Sequence, residues 1–411
     1  MIPNSWQQLS FPKMLQIKPF LGIAVIPLLW RCPPRVRLSQ NELGKPQLQL
    51  KQGGITDECI CSVTDYNAAA KDLSSGKTAN CYIVPQKGVY KFKAVKGNSQ
   101  ETIRSIDHVF VVWRTCNTAT APSHDEVIID PIYKDNYIVF STGDEYVPGN
   151  ALIAAADKDN IILWSWHLWV TDADIEGLKQ TYANNAGVMM DRNLGALSAV
   201  ASDPLTIGLF YQWGRKDPFM SFASLTETIE MASDYSWPNP IAVYNKNSSL
   251  VEYSVQNPTT YITSTTGLRD WQAVYEVYVD PKLWQKDKTI YDPCPSGWRV
   301  PDGGPEGLWA KAGIPTDGNL GYLGMIIDKR YSGKDAWYPA ADCRLSNGSL
   351  NSHVGLWGRY WSCTRYYSDN PYLMENTDKW VFVFEFYSDE TRIEGHTSQP
   401  SLSHSVRCCK E

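Results

Sequence analysis

The sequence predicts a mainly β protein, and three observations carry that prediction. Short runs rich in β-branched and aromatic residues recur between Gly, Pro, Asn and Asp through the first half of the chain. One of them, IILWSWHLWV from Ile161 to Val170, is apolar on both faces, as a strand buried inside a fold has to be. Near the C-terminus, WVFVFEF from Trp380 to Phe386 alternates, with Trp380, Phe382, Phe384 and Phe386 on one side. The length of 411 residues suggests two or three domains. Hydrophobic residues at 43% and charged ones at 20% are those of a folded globular protein, so the load of 16 Trp and 23 Tyr must fill cores or read sugars. A formal net charge of -6 gives no electrostatic footprint for nucleic acid, and that class of partner is set aside.

In chain order, residues 1–32 read as a targeting segment. Lys13 and Lys18 precede the apolar run Phe20 to Trp30, which is too short to span a bilayer at about 20 residues, and Met14 is an alternative start. Leu29 stands three places before Cys32, as in a bacterial lipoprotein signal, although Arg31 occupies the place of the usual small residue. The expectation is export, with Cys32 as the candidate lipidation site. Residues 33–64 are polar, carry Pro33, Pro34, Gly44 and Pro46, show no sustained period and read as a linker.

Residues 65–180 are expected to form a β-sandwich. Asp65 can cap a short helix, and strands are expected at Thr78 to Val84, Gly88 to Val95, Val109 to Arg114, Val127 to Ile132, Tyr137 to Ser141 and Ala151 to Ala155. Asp157 to Asn160 reads as the hairpin turn before the central strand. There the two-residue period sends Trp164, Trp166, Leu168 and Val170 one way and Leu163, Ser165, His167 and Trp169 the other. His167 is expected to be a hydrogen-bonded interior histidine, since no second His or Cys lies at ligand spacing. The acids of TDADIEG (Asp172, Asp174, Glu176) begin like a calcium loop, but its twelfth position is Ala183; acids in the first turn of a short helix capped by Thr171 or Asp172 explain them.

Residues 181–411 are read as a second domain. YDPCPSGWRVP, Tyr291 to Pro301, is a rigid turn that delivers Cys294 and Trp298 into a core, and HSVRC, His404 to Cys408, alternates like a short final strand. A cysteine in the opening stretch and another in the closing one suggest a Cys294–Cys408 bridge, worth roughly 4 to 5 kcal/mol in the chain-entropy model. The charges of Arg215 to Asp217 are expected to form a buried structural ion pair with Asp191 or Arg192. The motif searches for a metalloprotease HExxH, a GxSxG elbow and a CxxC find none, and GKT at Gly76 to Thr78 lacks the earlier glycine of a phosphate loop. No catalytic residue, metal ligand or cofactor is nominated.

VMMDRNLGA (Val188 to Ala196), GLFYQWGRKDPF (Gly208 to Phe219), Asp292 to Pro301, YWSCT (Tyr360 to Thr364) and SVRC (Ser405 to Cys408), in this order and spacing, resemble surface proteins of gut Bacteroidales that carry the Fibrobacter succinogenes major paralogous domain, some of them fimbrillin-like. TANCYIV followed by GVYKFKAVKGN is similar to the β domain that often precedes it. The resemblance covers roughly the second half of the chain. It implies an α+β C-type-lectin-like fold whose termini meet in a sheet, with Cys294 and Cys408 closing the domain and Trp298, Trp361 and Arg407 in its core. Cys343, Cys363 and Cys409 are extra to the pattern. It further implies a cell-surface protein of the outer membrane that binds a glycan or a surface protein, with pilus subunits as further partners. The acidic-proline tripeptide and the WND strand of calcium lectins are absent, Trp361 being followed by Ser362 and Cys363.

Candidate ligand-binding residues are Trp357, Tyr360, Arg365, Tyr366 and Tyr367, because aromatic faces beside Arg suit stacking on sugar rings. Two alternatives remain open. One is an enzyme of the formylglycine-generating kind, which shares the lectin-like fold and needs a paired cysteine, here Cys343 with Cys363. The other is a structural pilus subunit assembled by strand exchange.

Overall fold

The computed structural model describes residues 67, 69–116, 124–129, 131–221, 228–232, 235, 239–241, 250–263, 270–272, 282–314, 320–321, 324–327, 336–366, 380–387, 391–392 and 396–411, together with the backbone of one N-terminal hairpin. The targeting segment, Cys32, Asp65 and Tyr367 lie outside them. That hairpin, Arg37–Gln40 paired antiparallel with Pro46–Gln49, falls within the stretch expected to be a linker. The fold is mainly β, with helix confined to short segments such as Leu250–Gln256 and Leu308–Lys311. No helix among the described residues is long and apolar enough to cross a membrane.

A five-stranded sheet lies at the centre, in the order Thr228–Met231, His108–Cys116, Gly149–Ala156, Ile162–Val170, Cys81–Val84. Ile162–Val170 runs antiparallel to Gly149–Ala156 and parallel to Cys81–Val84. Its two apolar faces feed two different cores. Trp164, Trp166, Leu168 and Val170 pack with Tyr90, Phe92 and Phe140 of a four-stranded sheet, Phe92 lying 5.3 Å from Trp166. On the opposite face, Trp169 joins Met190, Leu209, Trp213 and Trp361 from the second half of the chain. The turn before this strand is held by Asp157, whose Oδ1 accepts from the backbone N–H of Asp159 and Ile161, with Asn160 at φ +60°.

Two expected elements differ. Val127 and Ile128 are buried, but they follow a short 3₁₀ turn, His124–Glu126, and the strand begins only at Ile132. Arg114 draws this segment out of a ladder by donating to Asp125 and to the Ile128 carbonyl. The stretch after Thr171 is a turn, not a helix, because Thr171 Oγ1 and Asp174 Oδ1 accept the local N–H groups of Ala173 and Gly177.

The Tyr291 to Pro301 turn is organised by Asp292, which is fully buried. Its carboxylate accepts from the N–H of Cys294 and of Val300, each at 2.9 Å, and from Lys288 Nζ at 3.1 Å. Asn80 donates to the carbonyls of Ile290 and Asp292, fixing this turn to the first half of the chain. Cys294 and Cys408 are disulfide-bonded. Beside them Gln180–Tyr182, Gly187–Met189, Cys409–Lys410 and Trp298–Arg299 form one sheet. A larger sheet orders Phe210–Gln212, Ser403–Ser405, Gly358–Tyr366, Trp380–Phe386 and Thr391–Arg392. Trp380–Phe386 is buried on both sides: Phe384 and Phe386 pack with Trp309, Tyr338 and Tyr360, while Val381 and Val383 enter the core that contains Trp169.

Candidate binding face at Trp357

The loop between Ala336–Pro339 and Gly358–Tyr366 presents Trp357. Its shape follows from Asp342, which has φ +56° and no exposed side-chain surface. The Asp342 carboxylate accepts from the His353 N–H at 2.9 Å and from Asn351 Nδ2 at 3.2 Å, and the Asp342 backbone N–H donates to the Trp357 carbonyl at 2.7 Å. Gly355, at φ +85°, takes the left-handed conformation that favours glycine and donates to the Ala340 carbonyl. Trp357 N–H closes the turn on the His353 carbonyl. The two rings therefore stack, 3.9 Å apart and within 6° of parallel. Tyr387 meets the indole edge-on at 5.1 Å, the Arg359 guanidinium lies 4.8 Å from its centre, and Leu356 beside it is 43% exposed.

Behind the stack runs a chain of charge. Arg359 Nε donates to Glu385 Oε1 at 2.6 Å, and its Nη1 lies 3.6 Å from Asp342 Oδ1 and 3.1 Å from the Cys343 sulfur. Arg359 and Glu385 are direct cross-strand partners. His396 Nε2 contacts the second oxygen of Glu385, and His353 Nδ1 lies 3.9 Å from Asp342 Oδ2. Burial raises the pKa of Asp342, against the hydrogen bond from the His353 N–H and the charge of Arg359. Burial would raise Glu385 too, but His396 and Arg359 outweigh it and hold the carboxyl below its ordinary value. The Cys343 thiol is pushed up to about 12 by burial and by Asp342, so it is protonated and a poor nucleophile.

Of the five residues nominated from sequence, Tyr367 lies outside the described residues, and the other four are not brought together. Trp357 and Tyr366 are half-buried, Tyr366 edge-on to Phe382 at 5.4 Å. Tyr360 is fully buried, its hydroxyl donating to the Pro339 carbonyl and its ring 5.0 Å from Tyr338, so it has no face for a ligand. Arg365 is buried under the guanidinium–indole contact with Trp213, at 4.2 Å, and donates twice to Asp270 Oδ2 at 3.1 Å. Gly358–Tyr366 lies between two cores, which is why alternation along it does not yield a solvent face. Asp342, His353, Arg359, Glu385 and His396 were missed. The His353/Trp357 spacing of four was the one legible signal, since a cross-strand pair such as Arg359 with Glu385 depends on register.

Cys343 and Cys363 are buried, unbridged thiols in different surroundings, Cys343 against Arg359 and Cys363 against Asp302. The expected pairing of Arg215 to Asp217 with Asp191 or Arg192 is not what forms. Asp191 and Arg192 pair with each other, while Lys216 Nζ bonds Asp217 at 2.7 Å and Ser165 Oγ at 2.6 Å, and Arg215 donates to Gln212 and the Thr260 carbonyl. His167 Nε2 bonds Asn150 Oδ1 at 2.9 Å, and burial pushes its pKa down to about 3. Among the described residues no group of three or more His, Cys, Asp or Glu is placed to hold a metal ion. No family model, curated protein or solved structure matches the chain.

Proposed function

We propose that the chain is an exported, non-catalytic binding protein of the cell surface, in which a β-sandwich carries a C-type-lectin-like domain whose Trp357 face binds a glycan or a surface protein. The observation that carries this reading is the preordered His353–Trp357 stack, partly exposed beside Leu356 on a loop braced by buried hydrogen bonds. An aromatic face fixed before binding loses little conformational freedom when a sugar ring or an apolar side chain settles on it. The lectin-like reading draws support from the sheet that unites Gly187–Met189, Trp298–Arg299 and Cys409–Lys410, beside the Cys294–Cys408 bridge. The protein would reach the outer membrane through Cys32, and mass spectrometry of the mature N-terminus reads that directly.

The test is a glycan array with the oxidised protein, run with and without calcium. The expected result is a saturable, calcium-independent signal that Trp357→Ala abolishes and that Tyr366→Ala leaves weaker or unchanged. A blank array together with failure to bind mucin or matrix proteins would move the assignment to a structural subunit.

A further inference from the structure

The five-membered chain His353, Asp342, Arg359, Glu385, His396 has an uneven distribution of exposure. The two carboxylates are 0% and 1% exposed and Arg359 14%, whereas the end histidines are 39% and 30% exposed. Both imidazoles thus stand at the surface, each against a buried carboxylate, and both carboxylates share one guanidinium. His353 Nδ1 is itself shielded and makes no hydrogen bond, leaving the Asp342 oxygen 3.9 Å away as the group it faces. The other titratable groups described around the chain do not change charge near neutrality: burial keeps the proton on Cys343 and raises the Tyr387 phenol, and it holds the interior His404 neutral. Histidine is the side chain whose charge changes near neutrality. A proton taken on His353 adds a positive charge beside Trp357, and one taken on His396 adds a second at the Glu385 end of the chain.

Resting on the binding reading above, we propose that the Trp357 face takes an acidic saccharide, its ring on the His353–Trp357 stack and its carboxylate or sulfate between His353 and His396, and that protonation of these two histidines controls its capture. Neutral sugars lack the anion that would respond to the added charge. Acidic ones gain two exposed ion pairs on acidification.

The experiment is calorimetry on the full chain with 3′-sialyllactose and a heparin-derived sulfated disaccharide, and lactose as neutral control, at about pH 5.5 and about pH 8. The expected result is binding of at least one acidic probe about tenfold tighter at the lower pH, the size two exposed ion pairs supply, with no such change for lactose. The double variant His353→Asn, His396→Gln removes the difference. Should that variant fold poorly, histidine C–H resonances of the unaltered protein give a second reading, because linkage requires a probe that binds the protonated form to raise both titration midpoints. Acidic-probe affinity that ignores pH, or midpoints that the probe leaves unmoved, overturns the inference. If a neutral glycan still binds in a Trp357-dependent way, the proposed function survives that result; absence of acidic-probe binding at either pH removes the inference, and the proposed function falls with it only where mucin and matrix proteins also fail to bind.

Discussion

At the scale of single residues, interior polar groups set how the protein responds to acid. His167 is buried with its pKa near 3, against an ordinary value of 6.5, because burial disfavours the imidazolium. Between those values the unfolded chain binds a proton that the folded one refuses. The contribution to stability is therefore complete above pH 6.5 and is lost as pH falls toward 3, at up to about 1.4 kcal/mol per pH unit. The urea midpoint should fall between about pH 7 and about pH 5. In His167→Gln, which keeps a donor toward Asn150, the fall should be shallower, and an unchanged slope would place the effect elsewhere. Glu385, held below its ordinary value of 4.5, acts in the same direction in a lower window: its support is present above 4.5 and disappears as pH drops through the folded value. Asp292 carries a larger load. Asp292→Ala strips two backbone N–H groups of their acceptor and leaves Lys288, 9% exposed, without its counter-charge, so a loss of about 3–5 kcal/mol is expected by equilibrium denaturation.

At the scale of elements, the Cys294–Cys408 bridge closes a segment of 114 residues. Reduction should lower the unfolding free energy by about 4–5 kcal/mol, read as a denaturant midpoint that Cys294→Ala/Cys408→Ala reproduces without reductant; equal midpoints for oxidised and reduced protein would deny the bridge a stabilising role. Both cysteines were legible because they open and close one stretch of sequence. Ile162–Val170 was legible for a different reason: a strand apolar on both faces can only sit between two cores, and from Trp164 onward its alternate residues divide between them by the two-residue period, while a bulge between Ile162 and Trp164 puts Leu163, expected on the opposite face, in the same core as Trp164. Val127 to Ile132 and Thr171 to Gly177 were not legible. Their fate is decided by a distant arginine and by side-chain oxygens that capture local N–H groups, neither of which leaves a periodic signal. Tyr360 and Arg365 misled because Gly358–Tyr366 is an inner strand. The charge chain around Arg359 could not be read at all, since it assembles from a loop, two strands whose register the sequence does not state, and His396 just ahead of Thr397–Ser398.

At the scale of the whole molecule, the central sheet belongs to both halves of the chain. Its strand His108–Cys116 is flanked by Gly149–Ala156 on one side and by Thr228–Met231, from beyond residue 180, on the other. The face bearing Trp113 and Trp169 is covered by Met190, Leu209, Trp213 and Trp361. Asn80 reaches across to the Ile290 and Asp292 carbonyls, and Lys216 bonds Ser165 in the central strand. Separation of the halves at 180/181 would thus uncover two buried indoles, each with roughly 150–250 Å² of surface, and would take Ser165 from Lys216 and the Ile290 and Asp292 carbonyls from the Asn80 amide. The two halves should therefore unfold together. Tryptophan fluorescence and far-ultraviolet circular dichroism are expected to give coincident denaturation curves for the oxidised protein, and a fragment of residues 65–180 made alone should aggregate or bind a hydrophobic dye. Two resolved transitions, or a soluble fragment with a cooperative melt of its own, would mean that the shared face is a docking contact between separately stable domains and that the Trp357 face can be studied on the second half alone.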